Sequence, residues 1–219
     1  MREVRLKDPG LVENAQDGMS CLLACIQMAM RTHNGGQVYS FDHINKVMNR
    51  KPGKYSWEYG ILSDLAQNGY YIEIYNLFDV AAFVEKGADY LIQFYGPVNG
   101  QDQIIHSDLP QVVEDARTYL KMSSITRHLK VPRADDLKEA IDRGYYAIVA
   151  INSQMLQGRD GIDSHVVFVY GYSSRGIIYH NPGFPSTCAS EMPWSVLERV
   201  WNRPTEETRE MYIIKPPSV

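Results

Sequence analysis

The chain has 219 residues, 44% of them hydrophobic and 22% charged, with a net charge of −4 and a pI near 5.9, which suits one globular domain with room for an insertion. Its charges are interspersed and no basic face is built, which argues against nucleic acid and anionic membrane as partners. The opening Met1 to Gly10 lacks the apolar core of a signal peptide and nowhere do eighteen apolar residues run together, so neither a leader nor a membrane span is expected and the cytoplasm is the expected location.

In chain order, Met19 to His33 predicts a helix, with Leu22, Leu23, Ile26 and Met30 joining Cys21 and Cys25 at spacings of three and four and Asn34-Gly35-Gly36 as its stop. Phe41 to Asn49 and Gly60 to Asn68 read as two further short helices, and Tyr70 to Tyr75 as an aromatic, β-branched strand. From about residue 78 to 133 the pattern is broken: a helical piece at Gln111 to Leu120 stands beside a Gly/Gln/Asp-rich loop at Gly96 to Gln103, as in an inserted or elaborated region. Ala134 to Arg143 predicts a helix whose Asp135 and Asp136 suit its positive end. Strands follow at Tyr145 to Ile151, Val166 to Tyr170 and Ile177 to Tyr179, then a helix at Trp194 to Trp201 and a strand at Met211 to Ile214. Helices first and antiparallel-type strands late make an α+β order.

Three residues carry a chemical pattern: Cys21 at a helix start, His165 opening a strand and Asn181 directly after the next one. A helix N-terminus and a nearby imidazolium both lower a thiol pKa, which makes a nucleophile. An Asn that accepts from the other ring nitrogen holds the histidine in one tautomer. Asp163, two before His165, is an alternative orienter, while alternation along the strand turns His180 to the opposite face from Asn181. Taken alone, Cys21 reads as a buried core residue and His165 as a satisfied core histidine; their combination favours the nucleophile. Cys25, one turn on, is expected to pack inward, and Cys188 to be an exposed thiol in a Pro/Ser/Thr loop. The remaining histidines show no ligand spacing, so no metal and no cofactor are expected.

The order Cys, His, Asn resembles the papain-like cysteine enzymes, and the local sequences are similar to the C39-like peptidases. The stretches that carry the likeness are Ser20-Cys-Leu-Leu-Ala-Cys-Ile-Gln-Met28, Gly60 to Tyr70, His165-Val-Val-Phe-Val-Tyr-Gly-Tyr172, His180-Asn-Pro-Gly183 and the helix with Trp201 before a last strand. They cover most of 14 to 75 and 134 to 216. The resemblance implies a papain-like fold, with an N-terminal helical lobe bearing the Cys helix packed on a C-terminal antiparallel sheet. It also implies an oxyanion donor before the cysteine, for which Gln16 is the candidate. Three positions depart from the family pattern. Ser20-Cys21-Leu22 stands for Asp-Cys-Gly, Gln16 precedes the cysteine by five residues rather than six, and Asn181 replaces an Asp.

The expected chemistry is an S-acyl enzyme on Cys21. If water releases it, the protein is a peptidase or amidase acting on a peptide. If an amine releases it, the protein is an amide-forming acyltransferase, fed by an acyl thioester that a carrier protein could present. A papain-fold binding module without catalysis is a third reading. The 78 to 133 region is the expected seat of substrate selection.

Overall fold

A computed structural model describes residues 3–16, 18–32, 38–183, 185–215 and 217. The chain order is β1 (Val4–Arg5), α1 (Cys21–Arg31), α2 (Phe41–Val47), α3 (Tyr59–Gln67), β2 (Tyr71–Asn76), α4 (Val80–Lys86), α5 (Ala88–His106), α6 (Leu109–Tyr119) and β3 (Ile125–Leu129). It continues with α7 (Ala134–Asp142), β4 (Tyr146–Asn152), α8 (Ser153–Leu156), β5 (Ser164–Tyr172), β6 (Gly176–Asn181), β7 (Thr187–Pro193), α9 (Trp194–Val200) and β8 (Glu210–Lys215). The expected stop at Asn34 to Gly36, with His33, lies outside the described residues.

The α+β class holds, and the structure refines the sheet. Among the described residues, eight strands join in the order β3-β2-β8-β4-β5-β6-β7, with β1 paired to β5. The sheet is neither wholly antiparallel nor confined to the C-terminal part, because β2 and β3 pair in parallel. A parallel pair needs a crossover connection, and residues 78 to 133 supply it: α4, α5 and α6 lead from β2 to β3. The loop expected at Gly96 to Gln103 is helical. Gly96 takes φ 78° and interrupts α5, and Pro97 then opens its second half, where a missing N–H costs nothing.

Alternation along the strands sorts the core into two layers. Ile148 and Ala150 of β4, Val166 and Phe168 of β5 and Tyr212 of β8 pack with α1, α3, α4, α5 and α6. Their neighbours Val149, Ile151, Val167, Val169, Met211 and Ile213 pack with α7 and α9 on the other face. Helices thus cover both faces, which explains why every residue of β4 is buried. α1 lies against β5 and buries Leu22 to Ile26 and Met28 to Met30. No helix among the described residues is long and apolar enough to cross a membrane.

Candidate active site

Two structural facts place Cys21. It is the first residue of α1, so its N–H is among the four that a helix cannot pair internally. The N-terminus of α1 also overhangs the end of the sheet where β5 begins, which brings Cys21 Sγ to His165 and to the Val166 N–H. One turn further along, Cys25 is fully buried and its Sγ faces Val166 O at 3.9 Å.

His165 and Asn181 stand sixteen residues apart in sequence and meet because β5 and β6 form an antiparallel hairpin. His165 Nε2 lies 2.7 Å from Asn181 Oδ1. Since the ring also hydrogen-bonds Cys21, Nδ1 is the nitrogen left for the thiol. Asn181 Oδ1 is itself fixed by the Gly183 N–H at 2.9 Å. His165 is only 8% exposed, whereas Cys21 keeps partial access to solvent.

The electrostatics of the pair are reciprocal. Burial opposes the thiolate, but the hydrogen bond and charge of His165, with the N–H groups of Val166 and Leu22, outweigh it, and the Cys21 thiol lies below its ordinary value. Burial likewise opposes the imidazolium, and the hydrogen bond and charge of Cys21, the Asn181 contact and the Asp163 carboxylate outweigh it, raising His165. Each group thus favours the charged form of the other. Cys25 shows the contrast: burial, with Cys21 as a nearby like charge, pushes its thiol well above the usual range, so it is an inert packing thiol.

The structure therefore brings together Cys21, His165 and Asn181. Gln16 is exposed on the turn closed by Gly18 N–H to Ala15 O, and among the described residues no hydrogen bond joins it to Cys21. Asp163 does not contact the imidazole as an orienter; its carboxylate takes the Ser153 hydroxyl, and it acts on His165 through space. His180 is fully buried on the other side of β6, with Nε2 2.8 Å from Asp8 Oδ1 and Nδ1 accepting from Ala189 N–H at 3.1 Å. That network ties down the N-terminal segment. Cys188 is exposed, as expected, but sits on the edge strand β7 rather than in a loop. Among the described residues no three His, Cys, Asp or Glu side chains gather to hold a metal.

Two contributors escaped the sequence reading. Gly183 lies against the His165 ring so closely that a Cβ there would stand 2.7 Å from His165 Cε1 and 2.8 Å from Nε2. The Asn-Pro-Gly run could have signalled it, since a glycine is the residue that lets backbone approach a ring this closely. Asn14 is buried in the loop before Cys21 and makes three hydrogen bonds; its polar type gives no hint of that.

Comparison with protein-family models and with curated proteins yields no match for this chain.

Proposed function

We propose that the protein is a papain-like cysteine enzyme of the C39-like kind that works through an S-acyl intermediate on Cys21. The observation that carries this reading is the hydrogen-bonded series Cys21, His165, Asn181 at the N-terminus of a buried helix. The thiolate attacks an acyl carbon and forms the Sγ–C bond. The oxyanion that develops is met by the Cys21 N–H, which points out of the helix end. Gln16 is the candidate second donor and would have to swing in from the surface on substrate binding.

As the tetrahedral adduct collapses, His165 passes its Nδ1 proton to the departing amine or thiol, and the acyl group stays on sulfur as a thioester. Water then attacks, with neutral His165 taking its proton, and the acid leaves as the Sγ–C bond breaks. Asn181 fixes the ring throughout by accepting from Nε2–H. Hydrolysis of a peptide or amide is the first reading.

Release of the acyl group by an amine, which forms an amide, is the alternative fate of the same intermediate. Supplying acyl thioesters together with amines separates the two: a new amide supports transfer, and acid as sole product rejects it.

The nucleophile itself is tested by iodoacetamide alkylation across pH, read by mass spectrometry. Cys21 is expected to react as a thiolate below the ordinary thiol range and Cys25 not at all. His165→Ala removes the hydrogen bond and charge that do most to oppose burial, so the Cys21 midpoint must move up. Equal labelling of Cys21 and Cys25, or a profile indifferent to His165→Ala, overturns the reading.

A further inference from the structure

We propose that Asn14 is a positioning residue which sets the spacing of the Cys21–His165 pair and the aim of the Cys21 N–H. The proposal rests on the functional reading above.

The pair joins two segments distant in sequence, and its ionic state depends on their separation. The packing of α1 on β5 holds them through apolar contact. Asn14 adds a polar tie on the solvent side. Its N–H donates to Pro182 O at 2.8 Å, which anchors it one residue beyond Asn181. Its side chain works in the other direction: Oδ1 accepts from Ser20 N–H at 2.7 Å, and Nδ2 donates to Gly18 O at 3.0 Å. A single residue, 8% exposed, is therefore bonded both to the loop behind the histidine's partner and to the residue before the nucleophile.

The consequence for Cys21 follows from the local backbone. Ser20 is a helix boundary residue with φ −112° and ψ 21°, and its hydroxyl does not cap the helix; it accepts instead from Arg50 Nη1 at 3.1 Å. Asn14 fixes the N–H side of Ser20, and Ala24 N–H fixes the C=O side at 3.0 Å. The Ala24 bond orients the Ser20–Cys21 peptide, whose N–H, trans to that carbonyl, points out of the helix end, and Asn14 holds the adjoining Met19–Ser20 peptide in register with it. A buried amide with both of its functions engaged is also rigid, because releasing it leaves polar groups unpaired.

The test uses the full-length protein and compares wild type, Asn14→Ala and Asn14→Gln, which keeps the amide but displaces it by one methylene. Alkylation of Cys21 by iodoacetamide is followed from pH 5 to 10, with the exposed Cys188 as reference on the same molecule and near-UV circular dichroism as the fold control. Both variants are expected to raise the Cys21 midpoint by about one unit, making alkylation at neutral pH roughly tenfold slower, with Cys188 unchanged. A loop of merely structural importance would lower thermal stability and leave the midpoint where it was. If Asn14→Ala does not fold, Asn14→Gln decides alone, and a wild-type midpoint in the folded variant overturns the proposal. The two ideas fail separately: loss of the His165-dependent profile in wild type rejects the enzyme, while its retention in the Asn14 variants rejects only this inference.

Discussion

Gly183→Ala puts the smallest possible perturbation against the proposed catalytic pair. The added Cβ would stand 2.7 Å from His165 Cε1, 2.8 Å from Nε2 and 3.1 Å from Asn181 Oδ1, where ordinary contact begins at 3.4 Å. The ring must give way by about 0.7 Å, and it is hemmed in because it is buried and bonded at both nitrogens. A displacement approaching 1 Å costs about 100-fold in a positioned reaction, while the overpacking itself costs about 1–3 kcal/mol of stability. The Gly183 N–H to Asn181 bond is backbone and survives the change. Alkylation of Cys21 by iodoacetamide is the assay, since it needs no knowledge of the substrate. The midpoint should rise, because burial still opposes the thiolate while the compensating imidazolium has moved away. Denaturant unfolding on the same sample separates this from general loosening. A variant with the wild-type midpoint would falsify the claim that Gly183 sets the position of His165.

Two other changes act on stability. Cys25→Ala removes a fully buried thiol and should cost about 1–2 kcal/mol in urea unfolding, with the Cys21 alkylation profile kept; loss of that profile would show that Cys25 does more than pack. Glu58 has its carboxyl raised from 4.5 to about 8 by burial and the nearby Glu210 charge, although Arg203 and Tyr212 oppose the rise. Between those two pH values the folded state binds the proton more tightly than the unfolded one, so stability is greatest below about 4.5 and is lost as pH rises through about 8. Glu58→Gln should flatten that decline in thermal unfolding measured from pH 4 to 9, and an unchanged slope would refute the assignment.

What could be read in the sequence is what obeys a short-range rule. The buried strand Tyr146–Asn152 is a continuous apolar run, and α1 repeats apolar residues at three and four, so both stand out without knowledge of their partners. The three site residues share this property, because each sits at the end of an element whose type the local pattern reveals. β3 and β7 obey no such rule. Ile125–Leu129 buries only Ile125, and Thr187–Pro193 buries only Met192; both are edge strands, drawn into the sheet by backbone pairing with β2 and β6. Tertiary context also decides the crossover helices, since Gly96 and Pro97 look like loop residues until the two halves of α5 are seen on either side of them.

The same distinction explains the oxyanion side of the site. Counting back from Cys21 favours Gln16, because a sequence count weighs residue type and spacing. The fold leaves Gln16 at the surface, on the turn that the Gly18 N–H closes onto Ala15 O, while Asn14 is carried inward by its bond to Pro182 O and its amide braces the loop rather than the oxyanion. That bond crosses most of the chain, which no local pattern can encode. The candidate nucleophile is thus legible as a residue, whereas the lowering of its thiol pKa depends on long-range ties. The helix end supplies a favourable field, and the hydrogen bond and charge of His165, with the N–H groups of Val166 and Leu22, outweigh the burial that in Cys25 pushes the thiol well above its usual range.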